Sequence, residues 1–253
     1  MRGWRAFLKK EICEAVRTYK VLIFGAVFFI LGVTGPLTAK YMPDLMEAFL
    51  PEGMILNLAP PRALDSWLQF FKNVPQMGLV VTIILLSGMM ASEWSKGTLV
   101  LVLTKGLDRK SVILAKFTTA TLLWSGAYWF SFGISYGYTR FFWEEKTPHV
   151  GEAVGLLWFF GEMLIAVTLL GGVLFKNSYG PLLLTAIVVV ILILINILPD
   201  AAKYNPWMLA SGSVGLLEGS IKPSEFMVPG VLTGVMTLGA LLGAMLIFDR
   251  KQV

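Results

Sequence analysis

The sequence is short of the residues on which soluble chemistry depends. One cysteine, Cys13, and one histidine, His149, stand among 253 residues. A lone cysteine excludes an intrachain disulfide and leaves the redox compartment undefined. One histidine and one cysteine cannot make a zinc site of the usual kind. A nucleophile would also have only that one histidine as its base, which argues against a membrane-embedded protease. There is no Gly-x-x-x-x-Gly-Lys-Ser/Thr phosphate loop, so the chain carries no nucleotide-hydrolysing site of that kind and is not expected to be an enzyme. Charge is scarce too, at 15% of residues, against roughly a quarter in a soluble domain. The net charge of +5 is small for a nucleic-acid partner, and none is expected.

What is abundant is apolar: 56% of the residues. A soluble chain buries at most roughly 75% of its surface on folding, so this much apolar surface calls for a bilayer. Six stretches free of charge apart from Glu162 run over 21–39, 73–92, 117–139, 153–175, 177–199 and 226–248. Each is about the 20 residues that a helix needs to cross the hydrocarbon core. Backbone groups in lipid must bond within the segment, so these are helices. The expected fold is all-α, a polytopic membrane protein forming one transmembrane domain over 1–253. Its helices are expected at 21–39 (TM1), 73–92 (TM2), 113–138 (TM3), 153–175 (TM4), 179–199 (TM5) and 227–248 (TM6).

Lysine and arginine set the orientation. With six spans, Lys40, Arg62, Lys72, Arg140, Lys146, Lys203 and Lys222 fall on one side. The remaining two-thirds of the 21 lie on the side of the termini. Asp44, Glu47, Glu52, Asp65, Glu144, Glu145, Glu152, Asp200, Glu218 and Glu225 fall opposite the termini, so both ends are expected in the cytoplasm of a multi-pass cell-membrane protein. A cleavable signal peptide is disfavoured: the basic region is long and no small-x-small site follows promptly. Residues 3–19 read instead as an interfacial helix, with Trp4, Leu8, Ile12, Ala15 and Tyr19 recurring at steps of three or four. The outer segment 40–72 is too apolar to be a free loop and is expected as short helices on the outer headgroups.

The segment 93–116, after TM2, is about half apolar where a plain connection would be short and polar; its first part, 93–110, is the expected coupling segment. Leu99 and its neighbours need a cover. Gly97-Thr98 and Gly106-Leu107-Asp108-Arg109 punctuate helices, and Asp108 suits a cap for TM3. Within TM4, Glu162 lies ten residues past Glu152, hence ~15 Å along the helix and near mid-bilayer. A charge at that depth costs roughly 2.5 kcal/mol or more on insertion scales. It reads either as lining a translocation path or steadying an interface, or as a neutral acid bonded to another helix. Gly230, Gly234, Gly239 and Gly243 in TM6, with Gly133 and Gly137 in TM3, suit close helix approach, within the bundle rather than at a dimer seam as the commoner use.

Glu93, Gly97, Thr98, Arg109 and Lys116, placed between the second and third of six spans and preceded by a basic interfacial helix, resemble the permease subunit of ABC-2 type transporters. Gly106 or Leu107 stands where that family commonly has proline, and Asp108 where it has serine. The architectural resemblance covers nearly the whole chain, and the motif only this segment. It implies a coupling helix that seats in a separate ATPase, with Glu93, Trp94, Gly97, Thr98, Leu99 and Arg109 as docking residues. ATP and magnesium would be held by that partner, and a second permease, identical or homologous, would complete an exporter. The rival readings are a six-span substrate-binding component of an ATPase-linked uptake system and a secondary transporter. The first does not explain the long apolar loop with its Gly-Thr and Arg, and one intramembrane acid would be a sparse coupling site for the second.

Overall fold

The computed structural model describes residues 2–48, 60–95, 97–104 and 106–251. Its elements are α1 (Arg2–Arg17), α2 (Lys20–Ala48), α3 (Ala63–Asn73), a π-helical turn (Val74–Gly78), α4 (Leu79–Ser95), α5 (Thr98–Thr104) and α6 (Arg109–Phe142). They continue with α7 (Val150–Leu174), α8 (Tyr179–Ile195), α9 (Pro199–Ala202), α10 (Met208–Ser211), α11 (Ser213–Leu217), a 3-10 turn (Pro223–Phe226) and α12 (Met227–Arg250). No strand occurs among the described residues.

The bundle is built around α7, which is buried on nearly every face from Ala153 to Val173. A helix apolar all round needs neighbours all round, and α4, α6, α8 and α12 supply them. Small residues set the closest approaches. A Cβ on Gly171 would stand 2.7 Å from Pro181 Cα of α8, and one on Gly172 2.9 Å from Met90 of α4. The α2–α6 pair closes at Gly32, whose carbonyl accepts a 2.7 Å bond from Ser135. An aromatic core fills the space between α2, α3, α6 and α7. Trp124 stacks on Tyr128 at 4.9 Å and meets Phe28 edge-on at 5.7 Å, contacts worth about 0.5–1.5 kcal/mol each beyond their buried area.

The helices run longer than the uncharged stretches. α2 continues through Pro36 and Pro43, as membrane helices do where neighbours re-satisfy the freed carbonyls. α3, the π turn and α4 form one run, Ala63–Ser95, and the widened turn accommodates Pro75, which has no N–H to donate. The expectation of short headgroup helices before residue 73 therefore fails: Trp67, Phe70 and Phe71 are buried core residues. Residues 49–59 of that segment lie outside the described residues. α8 stops at Ile195, short of 199. Beyond it, α10 and α11 fold back onto α7 with Leu209 and Leu216 fully buried, and Asn205 donates to the Leu192 carbonyl at 2.6 Å.

Among the described residues, four helices are long and apolar enough to cross a membrane: Lys20–Asp44, Ala63–Ser95, Val150–Leu174 and Pro223–Arg250. α8 is apolar but has 17 residues, about 26 Å. α6, with 34 residues, is about 51 Å long, and its Thr, Ser, Gly, Tyr and Trp content lowers its hydropathy. Leu22, Ile30, Leu183, Val231, Leu238 and Leu246 are each at least 60% exposed, an apolar outside on α2, α8 and α12 that suits lipid. The glycine pattern in α12 packs only in part. Gly234 and Gly243 face α7, whereas Gly230 and Gly239, like Gly133 and Gly137 of α6, face open space.

Candidate functional site

Five of the charged groups collect where α1, the end of α4, the start of α5 and α6 meet. Lys116 sits two turns into α6 and is only 1% exposed. Its ammonium donates to both Glu11 oxygens at 3.0 Å, to the Met89 carbonyl at 3.0 Å and to Glu93 at 3.2 Å. Lys10 reaches the same group from outside, pairing with Glu11 at 3.0 Å, Glu14 at 2.8 Å and Glu93. Thr98, the first residue of α5, donates to the other Glu93 oxygen. Both ammonium groups also lie over the Phe7 ring, at 5.2 and 5.8 Å.

The amphipathic stripe of α1 explains this arrangement only in part. The buried face is Phe7, Glu11 and Ala15, with Trp4 and Leu8 half-buried, while Ile12 and Tyr19 are exposed. Helical spacing thus turns an acid inward along with the apolar residues, and Lys116 meets it. Burial acts first on Lys10, lowering its affinity for protons, but Glu14, Glu93 and Glu11 outweigh it and hold the ammonium above its ordinary range. Burial raises the Glu14 carboxyl, and Lys10 beside it reverses the sign and leaves it below the ordinary 4.5. The carboxylate oxygens of Glu11, Glu14 and Glu93 come within 4.8 Å of one another, close enough to share a cation. The two lysines supply that charge.

A second set of contacts ties the loop to the end of α12. Arg109 donates to the carbonyls of Phe248 at 2.7 Å and Lys251 at 2.5 Å, placing a cation on the carbonyl-rich C-terminus of α12. Lys251 does the same for α7 through Val173 at 2.7 Å and Leu174 at 2.9 Å. Burial, then the charge of Lys176, lowers the Lys251 pKa. Trp94 lies between these ends: Phe248 meets it edge-on at 6.1 Å, and the ammonium groups of Lys176 and Lys251 lie 5.1 and 5.4 Å from its ring centre. Leu99 is buried with Phe7, Val112, Ile113 and Phe248. Gly97 and Gly106, on either side of α5, have φ of 63° and 83°, the left-handed region that glycine occupies without Cβ strain. Asp108 holds the cap position of α6 but makes no side-chain cap bond.

The six residues expected around the loop are therefore neighbours, but not equally reachable. Glu93 and Leu99 are buried, Trp94, Thr98 and Arg109 half-buried, and Gly97 exposed. Sequence reasoning missed Lys10, Glu11, Glu14 and Lys251. Lys116 was quoted as part of the motif but not as part of the site. The available signals were the Lys10/Glu14 i,i+4 pair and the placement of Lys116 at the edge of an uncharged run.

Glu162 stands apart on α7. It is 5% exposed, and one oxygen accepts a 2.5 Å bond from Thr121 of α6. Its other oxygen makes no hydrogen bond among the described residues. No described Lys or Arg comes within ion-pair distance. Around it, the Trp124 indole donates to the Trp158 carbonyl at 3.1 Å, and the Trp158 indole to Ser125 at 2.9 Å.

A bundle of long apolar helices, one buried on nearly every face and others with apolar residues exposed on the outside, leaves little choice of class. It is an all-helical membrane protein. No family model matches the sequence. The chain is similar to the uncharacterized transmembrane protein YxlG of Bacillus subtilis (strain 168), at 23% identity over 211 residues, covering 81% of each chain.

Proposed function

We propose that this membrane protein is the permease subunit of an ABC-2 type exporter, driven by a separate ATPase that holds ATP and magnesium, and paired with a second permease. In this reading α2, α3–α4, α6, α7, α8 and α12 are the six crossings, α1 lies along the cytoplasmic face, both termini are cytoplasmic, and the chain hydrolyses nothing itself.

One observation carries the reading: α5 is a separate seven-residue helix between two left-handed glycines, anchored at its first residue to Glu93. A connection needs no such helix. A docking element does, because it must present a fixed face and pass a push to the helices behind it. Glu93, Leu99 and Arg109 then act from within, fixing α5 to α1, α6 and α12. Glu162 belongs to the α6–α7 contact, along which a path could open. Purification of the tagged chain at native abundance should bring down a subunit bearing a phosphate loop. Gly97→Val, which forces a branched side chain into a left-handed backbone, should release it while leaving the bundle folded. A folded wild-type chain that recruits no such subunit, or a Gly97→Val chain that recruits it fully, sinks the reading.

A further inference from the structure

We propose that the hollow between the α1–α2 corner, the lower half of α4 and the α7–α8 turn is a binding site for one anionic phospholipid. The hollow has a volume of about 610 Å³. Lys20, Lys176 and Ser178 line it together with a graded stretch of α4, which runs from Ser95 and Ser92 at its end to Leu85 and Ile84 deeper in the helix. From Ser95 to Ile84 is eleven residues, ~16 Å of helix, the order, polar to hydrocarbon, that a phospholipid presents from headgroup to acyl chain.

Two basic residues, Lys20 and Lys176, line the hollow beside one acid. The acid on the wall, Glu14, is paired with Lys10 at 2.8 Å. Lys176 has its ammonium over Trp94 and no ion pair among the described residues. Ser92 and Ser95 donate to carbonyls of their own helix at 3.3 and 3.2 Å, long for hydroxyl bonds, and a phosphate oxygen is a better acceptor. Gly88 gives the hollow its depth: a Cβ there would meet only Ser178 Oγ, at 3.7 Å. Ile84, 54% exposed, would face an acyl chain. The basic residues alone would also accept free phosphate, and the apolar end of the lining favours the lipid.

Native mass spectrometry of the full chain, in detergent with equal phosphatidylglycerol and phosphatidylcholine of matched acyl chains, tests this. One phosphatidylglycerol should be retained in preference to phosphatidylcholine and resist millimolar inorganic phosphate. Lys176→Gln should reduce retention about five-fold, the worth of one basic residue at an anionic surface. Gly88→Leu, which fills the hollow without changing charge, should reduce it at least as much, and Lys203→Gln at the other end should leave it unchanged. Equal retention of both lipids, retention unchanged by Lys176→Gln, or displacement by phosphate overturns the proposal. ATPase recruitment is read separately, so this site and the permease reading fail independently.

Discussion

The ionic cluster at Lys116 and the polar patch at Glu162 both bury a carboxylate, and they solve the problem in opposite ways. At the cluster, two ammonium groups meet three acids, so each charge has an opposite charge within about hydrogen-bond reach, and the Met89 carbonyl accepts a further bond from Lys116. At Glu162 the Thr121 hydroxyl meets one carboxyl oxygen, the two nearby indoles donate elsewhere, and no described residue supplies a counter-charge. A charged group is thus held where helix ends and basic residues gather, and a group that hydroxyls can satisfy is held in the middle of the bundle. The first arrangement locks elements together, and the second leaves one carboxyl oxygen unoccupied between two helices.

Several substitutions sharpen that contrast. Lys116→Met strands Glu11 and Glu93 in a buried site and should cost about 3–5 kcal/mol, read as a large loss of thermal stability in detergent. Adding Glu11→Gln should recover much of it, because Lys10 still balances Glu93. On the patch side, Gly161→Ala should cost about 1–3 kcal/mol by overpacking, since its Cβ would stand 2.4 Å from the Trp124 ring. Glu162→Gln should change stability by less than about 1 kcal/mol, because the amide oxygen still accepts from Thr121. A large loss there would mean that the carboxyl is a charged group like those of the cluster. Unchanged transport in the same variant would remove Glu162 from any translocation path.

The smallest effect is on pH. The Glu14 pKa is depressed on folding, so its contribution is complete above the ordinary 4.5 and is lost as pH falls through the lower folded value. The Lys10 pKa is raised, so its contribution is complete below the ordinary 10.5 and is lost as pH rises through the folded value. Unfolding temperature should be flat between those limits and fall outside them, with the acid edge weakened in Glu14→Gln. Both groups are partly exposed, so solvent screening keeps each edge shallow.

Much of this was legible in the sequence, though not evenly. Uncharged runs located the long helices but not their ends, because such a run measures the length that lipid must cover, while a helix continues wherever its backbone stays bonded. Trp67, Phe70 and Phe71 were visible as apolar, yet only the unbroken run from Ala63 to Ser95 shows that they are core. The loop residues were singled out by the family resemblance, while helix punctuation alone pointed to Gly97 and Gly106, which do take left-handed backbone. Spacing could not reveal that Glu93 turns inward, since Glu11 and Lys116, with which it is buried, lie far away in sequence. Glu162 was placed in mid-helix by counting, while its α6 partners required the fold.

The grip of Arg109 on the last turn of α12 has a practical meaning. It brings the C-terminal end of α12 against the same face as α5, and Gly3 of α1 lies there too, since a Cβ on it would be 3.0 Å from Leu107. A tag or fluorescent fusion joined just before α1 or just after α12 therefore crowds the surface on which recruitment of a partner would be measured. An epitope placed among Glu144, Glu145 and Lys146, exposed at the opposite end between α6 and α7, leaves that surface clear.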